Sequence, residues 1–458
     1  MQSMDEIKRY CATVCEQIRW KKVHPMIAKE IEDHLCDQRD FYISEGEEEE
    51  TATRNAIREM GDSIKIGAEL DKTHKPNPQW GLILLTILLM LVGTSTRYFI
   101  AHSEDAIGGF ELTDLFIAMV IFFVAYFLDF TLLGKHPLTC YTIIMLLSTT
   151  GLLLSRDVNG RAVFTFFFGY SFPMVYLCLI FPLAYALFVY AMRNQGIKGM
   201  LFCGLGYLPY AIILLFVPST TGFLIYTLSA LITICLAISK GWFGIGTKQG
   251  LVIVLLPTVL VGSAVLVWLM LQSYRLERIH VLLDPYSDPR GYQYVMIRDL
   301  MSGALFIGKG VIPQQYTGAL SSPWFRRDML LTIITNKYGW IVFWGIILLF
   351  LIFSATAFYK VSRQKSVLGL MVSLPILFVF IMQTILYIVS NLGFGILSTL
   401  SLPFLSDGTM ALLINAGLIG FMLSVFRTGD AMMDQIKVSA KHEPFILYED
   451  GKLIIKLK

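Results

Sequence analysis

A chain of 458 residues that is 55% hydrophobic and only 16% charged, with a mean hydropathy of +0.63, is too apolar for an ordinary water-soluble domain, and the bilayer is its expected solvent. A formal net charge of +3, with the basic residues in short clusters between apolar runs, argues against nucleic acid as a partner. The seven cysteines are scattered and suggest no disulfide framework.

Residues 1 to 76 form a polar head in which Ile27, Ile31 and Leu35 recur every four residues while charges fill the other faces, the pattern of a small helical domain. The acidic run Glu47 to Glu50 precedes Ala52, Ala56 and Met60, placing negative charge at a helix N-terminus, and Gly61 is the expected stop. Cys11 and Cys15 lie one helical turn apart, with His34 and Cys36 further on, so zinc is conceivable, although the spacing matches no usual ligand pattern. Cys140, Cys178, Cys203 and Cys235 sit in apolar segments and read as small hydrophobes. The pieces Glu30-Ile31-Glu32-Asp33-His34-Leu35 and Met60-Gly61-Asp62 resemble the short helical prefix found ahead of some bacterial permeases, which implies an interaction or regulatory module and no chemistry.

The first apolar run begins near Trp80, behind the long head, so no cleavable signal peptide is expected. Apolar runs then follow near 79 to 100, 113 to 133, 138 to 155, 170 to 192, 199 to 217, 220 to 239, 249 to 271, 338 to 359, 367 to 389 and 408 to 426. Each is long enough to cross about 30 Å of hydrocarbon. The predicted fold class is an all-α integral membrane protein with about ten transmembrane helices over 79 to 427, following a cytoplasmic head. Charge supports that count: the loops on the side of the head carry Lys135, Arg193, Lys198, Lys240, Lys248, Lys360, Arg363 and Lys365 with no acidic residue among them. The short loops opposite carry Arg156 and Arg161 with the acidic Glu104, Asp105 and Asp157, so both chain ends are expected inside.

Residues 272 to 337 are expected to form one long outer loop between the seventh and eighth helices, and long loops on rigid scaffolds tend to carry function. Its middle, 291 to 306, has apolar residues at helical spacing, with Val295, Leu300 and Leu305 as candidates for one face lying along the membrane surface. Beyond the membrane region, residues 428 to 458 form a cytoplasmic tail whose alternation around Asp450-Gly451 predicts a small hairpin.

The outer loop also carries a specific resemblance. Arg278-Ile279, Asp284-Pro285, Asp288-Pro289, Gly291-Tyr292-Gln293 and Gly308-Lys309-Gly310 are similar, in order and spacing, to the loop motifs of the FtsW/RodA/SpoVE (shape, elongation, division and sporulation) family of bacterial cell-wall polymerases. Asp328 with Gly339, then Asn391, Gly393 and the stretch Pro403-Phe404-Leu405-Ser406-Asp407-Gly408, extend the resemblance over residues 80 to 427.

That resemblance implies a glycosyltransferase that polymerises lipid II, a disaccharide carried on undecaprenyl pyrophosphate, beside a partner transpeptidase of the class B penicillin-binding type. The reaction needs a base for the acceptor hydroxyl and cationic support for the departing pyrophosphate. Asp328 matches the family's essential aspartate and is the candidate base; the alternative is that it caps the following helix or pairs with Arg326 or Arg327. These two arginines replace the family's His-Thr, and they would either hold the carboxylate's charge and weaken it as a base or grip a pyrophosphate. Lys309, Gln293, Asn391 and Ser406 are the other candidates for contact with pyrophosphate or glycan, while Asn391 also reads as a helix-to-helix hydrogen bond. No cofactor is specified, and a divalent cation stays open.

Several family charges are missing. The Pro-Ser-Glu of the fourth helix reads Pro173-Met174-Val175 here, with no lysine until Lys198. Gln-Pro-Asp-Leu-Gly near the sixth reads Val217-Pro218-Ser219-Thr220-Thr221-Gly222, and Glu-Glu-Leu-Gly reads Asn336-Lys337-Tyr338-Gly339. These losses favour a second hypothesis, a non-catalytic relative that binds a lipid-linked precursor or a partner as a scaffold. A coupled transporter is disfavoured, because Arg97, Asp114 and Asp129 all lie close to helix ends.

Overall fold

The structure, a computed structural model, describes residues 2–101, 112–158, 161–165, 171–217, 219–271, 277, 280–320, 327–395, 400–429, 446–449 and 452–455. Arg278, Ile279 and Arg326 lie outside the described residues. The chain divides into two compact units, one built on Met1–Gln79 and one holding the apolar helices.

In the first unit the helices are Gln2–Glu16, His24–Ser44, Glu49–Met60 and Ser63–His74. The four-residue spacing of Ile27, Ile31 and Leu35 makes one stripe, and that stripe is buried against Ile7, Val14 and Ala56. Gly61 ends the third helix at φ 96°, a left-handed backbone open to glycine, and the Asp62 carboxylate starts the next helix by accepting from the Ile64 N–H at 3.0 Å. Cys11 and Cys15 are buried in this core, where burial pushes the Cys11 thiol up to about 11, while His34 is exposed. Among the described residues no group of three or more His, Cys, Asp or Glu side chains is placed to hold a metal ion.

Among the described residues of the second unit, seven helices are long and apolar enough to cross a membrane: Trp80–Ile100, Met174–Met192, Gly196–Phe216, Thr220–Ser239, Trp340–Ser362, Val367–Phe394 and Thr409–Thr428. Leu112–Phe127, Pro137–Leu153 and Thr247–Leu260 are shorter apolar helices, and with them all ten predicted runs are helical, the architecture of an all-α membrane protein. We number these ten as spans in chain order. The fourth span, 72% buried, lies at the centre, packed against the third, fifth, sixth and ninth. Buried tyrosines tie its neighbours together: the Tyr141 hydroxyl donates to the Gly206 carbonyl, and the Tyr210 hydroxyl to the Tyr141 carbonyl, each at 2.7 Å.

Two local expectations differ. Residues 171–173 do not begin the fourth helix; Ser171–Pro173 is β3 of an antiparallel sheet with β1, Arg156–Val158, and β2, Arg161–Thr165, after which Met174–Leu179 is a 3₁₀ turn leading into the helix Phe181–Met192. Pro173 has no N–H to continue a helix and Pro182 sits in the first helical turn, so the chain enters the membrane later than its hydropathy suggests. Within residues 280–320 a helix spans Tyr292–Ser302, and its buried face is Met296, Ile297, Leu300 and Met301. Val295 is only half-buried and Leu305 lies beyond the helix, exposed, because the chain leaves it at Gly303.

Residues 303–311 then form a strap along the helix Leu330–Tyr338. The strap is held by backbone: the Gly308 and Gly310 N–H groups donate to the Tyr338 and Asn336 carbonyls at 3.3 and 2.7 Å, and the Trp340 and Ile341 N–H groups donate to the Leu305 and Phe306 carbonyls at 3.0 and 3.1 Å. In the tail, β4, Ile446–Glu449, pairs antiparallel with β5, Lys452–Ile455, while Asp450 and Gly451 lie outside the described residues.

Candidate functional site

Asp328 stands two residues before the helix Leu330–Tyr338, whose N-cap is Met329, and among the described residues its carboxylate makes no hydrogen bond to that helix. It is instead paired with Arg327, whose Nε donates to Oδ1 at 2.9 Å, and both side chains are partly exposed, 17% for Arg327 and 19% for Asp328. Burial works against the Arg327 charge, and the neighbouring carboxylate more than offsets it, holding the guanidinium above its ordinary range. Of the two pairings the sequence leaves open, the one with Arg327 is present, and Arg326 lies outside the described residues.

The backbone beneath this pair is fixed by the ninth span. The Asn391 side chain is fully buried and uses both ends: Nδ2 donates to the Asp328 and Tyr387 carbonyls, each at 3.0 Å, and Oδ1 accepts from the Thr332 N–H and hydroxyl, each at 3.1 Å. One turn earlier on the same helix, the Tyr387 hydroxyl accepts from the Leu330 N–H at 3.1 Å and donates to the Arg327 carbonyl at 2.8 Å. Asn391 is therefore a brace under the carboxylate. It can occupy that place because the ninth span ends in a wide turn, Ser390–Phe394, with Gly393 at φ 87°.

A second side chain that sequence reasoning passed over is Tyr176, buried in the 3₁₀ turn that opens the fourth span. Its hydroxyl accepts from Ser401 Oγ at 3.2 Å, and Arg327, Asp328 and Arg161 all lie within electrostatic reach of it. The signals were present: Tyr387 is four residues before Asn391, and Tyr176 follows directly on Pro173-Met174-Val175.

The remaining candidates fall elsewhere. Lys309 and Gln293 are exposed, and no hydrogen bond joins either to Asp328 among the described residues. Ser406 is buried and donates to the Leu402 carbonyl of its own turn at 3.4 Å. The motif residues around Gln293 serve the loop itself: a Cβ on Gly291 would run into the Pro285 carbonyl, and Asp288 caps the next turn by accepting from the Arg290 N–H at 2.8 Å. The Arg290 side-chain hydrogen bonds hold the Asp288 carboxyl down at about 2.

The sequence profile of the FtsW/RodA/SpoVE cell cycle proteins matches residues 79–430. The chain is 25% identical over 368 residues to a probable peptidoglycan glycosyltransferase FtsW of Borreliella burgdorferi, covering 75% of this chain and 94% of that one. It is 26% identical over 381 residues to the probable enzyme of the same name from Pseudoalteromonas translucida, covering 77% and 91%. Among solved structures, a chain of a peptidoglycan synthase complex that coordinates polymerization and crosslinking aligns with a TM-score of 0.58 at 20% identity, over 78% of this chain and 99% of that one. The rod shape determining protein RodA of Thermus thermophilus aligns with a TM-score of 0.51 at 17% identity, over 77% and 97%. At such identities these two establish a shared fold.

Proposed function

Because this chain belongs to the FtsW/RodA/SpoVE family of cell cycle proteins, we propose that it is a multi-pass membrane glycosyltransferase that polymerises lipid II at the outer face of the cytoplasmic membrane, with both termini inside. The observation that supports the assignment most is the Arg327–Asp328 pair, partly exposed and braced from below by Asn391 and Tyr387. A fixed backbone under a reachable carboxylate is what a general base requires, since a proton acceptor works only when it is held within hydrogen-bond reach of the hydroxyl.

In this mechanism the acceptor sugar's hydroxyl gives its proton to Asp328 as its oxygen forms the new bond to the donor's anomeric carbon. The bond from that carbon to the pyrophosphate oxygen breaks, and the pyrophosphate leaves with the electron pair on its lipid carrier. The ion pair looks unfavourable for a base, because Arg327 stabilises the charged carboxylate. A donor pyrophosphate resolves this: its oxygens compete for the guanidinium, drawing Arg327 toward the leaving group and releasing Asp328. Lys309, Gln293, Ser406 and Arg326 are further proposed contacts, the partner is a class B penicillin-binding transpeptidase, and the N-terminal unit is an interaction module. A divalent cation is compatible with this chemistry, and no step above runs through one.

The second function, a non-catalytic binder of the same precursor, is favoured by Val175, a half-buried apolar side chain that stands at the glutamate of the family's Pro-Ser-Glu. Labelled lipid II given to the purified protein, alone and with a candidate transpeptidase, separates the two. Chain growth that Asp328→Asn lowers by about 10²- to 10⁴-fold supports the polymerase. Bound lipid II without growth under any condition supports the scaffold, and labelling of position 328 from the cytoplasmic side alone would overturn both the topology and the site.

A further inference from the structure

We propose that the loop joining the fourth and fifth spans and the loop joining the sixth and seventh form one basic site, which holds the phosphate headgroup of an anionic phospholipid. The site is independent of the polymerase assignment and takes from the section above only the topology, which sets its leaflet as the cytoplasmic one.

Three contacts bring the two loops together. The Asn194 N–H donates to the Trp242 carbonyl at 2.9 Å. The Phe243 ring stands 3.4 Å from where a Cβ on Gly199 would lie, so the start of the fifth span rests on the second loop. A Cβ on Gly250 would run into the Ile238 side chain, so the start of the seventh span lies directly on the end of the sixth. The second loop is itself tightly wound: the Trp242 N–H donates to the Ala237 carbonyl and the Gly244 N–H to the Gly241 carbonyl, each at 3.0 Å, and the Trp242 and Phe243 side chains are buried.

Arg193, Lys198, Lys240 and Lys248 each stand within two residues of one of those three contacts. Residues 193–198 and 240–248 contain no Asp or Glu, and none of the four cations pairs with a carboxylate among the described residues. Arg193 is oriented by its own helix end: its Nη1 donates to the Tyr190 carbonyl at 2.8 Å and its guanidinium carbon lies 3.7 Å from the centre of the Tyr190 ring, while the three lysines are exposed. The fifth and seventh spans both begin at this junction, which adds the positive ends of two helix dipoles. Like charges gathered on a fixed scaffold repel one another, and an anion bound among them removes that cost. The kind of anion follows from the position. These side chains sit at the ends of membrane spans, and Ile197, Leu201 and Phe202 beside Lys198 are 54%, 59% and 49% exposed, an apolar surface that lies against acyl chains in a bilayer. A ligand with phosphate at the level of the lysines and hydrocarbon along the fifth span is a phospholipid.

The test uses the full-length protein in detergent micelles doped with phosphatidylglycerol or phosphatidylcholine, with bound lipids counted by native mass spectrometry. The parent is expected to hold phosphatidylglycerol at least about tenfold more tightly than phosphatidylcholine, a preference that shrinks at high salt. Lys198→Gln, Lys240→Gln and Lys248→Gln should each weaken phosphatidylglycerol binding about fivefold, and the triple variant should abolish the preference. The triple spares Arg193, which also packs on Tyr190, and its unfolding temperature in undoped detergent should match the parent's because the three lysines are exposed. As a control, Lys360, Arg363 and Lys365 of the loop between the eighth and ninth spans are replaced by Gln together, which should leave phosphatidylglycerol binding within about twofold of the parent. Parental binding in the first triple, or equal losses in the two triples, overturns the site, the latter by reducing it to the general positive charge of this face. Glycerol phosphate competing as strongly as the lipid would make it a site for soluble phosphate and overturn the lipid assignment. Labelling of Gly246→Cys from outside alone overturns the leaflet and the topology behind it, while the lipid count still decides the site.

Discussion

Residues 284–310 and residues 327–332 both carry family motifs, but they are held in opposite ways. In the first stretch the motif glycines are held through backbone: Gly291 lies against the Pro285 carbonyl, and Gly308 and Gly310 pair through their N–H groups with Tyr338 and Asn336, while the Asp288 carboxylate closes its own turn and the Asn336 side chain donates to the Leu300 carbonyl at 2.8 Å. Its polar side chains Gln293 and Lys309 are left exposed. In the second stretch side chains from a distant helix do the holding, through Asn391 and Tyr387, and the charged pair they support is partly covered. Where backbone pairs with backbone, side-chain identity matters little except at glycine; where side chains brace a backbone, each of them is costly to lose.

The largest effect should come from Asn391→Leu. It removes four hydrogen bonds and leaves the Thr332 N–H and the Asp328 carbonyl buried without that partner, a loss of about 3 kcal/mol or more. Thermal unfolding of the detergent-solubilised protein should show it, together with loss of glycan synthesis; parental stability would mean that the brace is dispensable. Gly310→Ala comes next, at about 1–3 kcal/mol, because a Cβ there would meet the Gly303 carbonyl and the Asn336 side chain. The same measurement on Lys309→Ala beside it sets the contrast.

The ten apolar runs were legible because span length and loop charge are properties of many residues at once, and one misplaced boundary does not change them. Asp328 and Ser406 stand out in the sequence only by their places in family motifs, and Asn391 also as a polar group in an apolar helix. What the sequence hid is pairing across distance. Nothing near Asp328 announces that Tyr387, about 60 positions away, fixes its backbone, and the β1–β3 sheet is made of strands too short for alternation to register. Lys309 and Gln293 were chosen by charge and motif, features that do not distinguish a loop built for its backbone from one built for its side chains.

A smaller effect is expected where the stretch 280–320 does use a side chain. The Tyr316 hydroxyl donates to Asp299 Oδ2 at 2.6 Å, and burial first, with that carboxylate second, pushes Tyr316 up to about 12. Its folded value is above the ordinary 10.0, so its contribution to stability is complete below pH 10 and is lost as pH rises through about 12. Tyr316→Phe should cost about 1 kcal/mol at neutral pH and flatten that alkaline fall, followed by unfolding across the same range. An unchanged alkaline profile in the variant would assign the fall to other groups.

Lys309→Ala should have the smallest structural effect, within about 0.5 kcal/mol, because the side chain is exposed and the strap is held by its neighbours' N–H groups. That small expectation makes it the most informative comparison with Gly310→Ala. If both lower glycan synthesis, but only Gly310→Ala lowers the unfolding temperature, then the backbone clamp exists to present the Lys309 ammonium to an anionic substrate, and the loss should appear mainly in KM and shrink at high salt. If Lys309→Ala leaves both activity and stability at the parental level, the family's Gly-Lys-Gly is conformational in this chain, and pyrophosphate contact shifts to Arg327 and its neighbours.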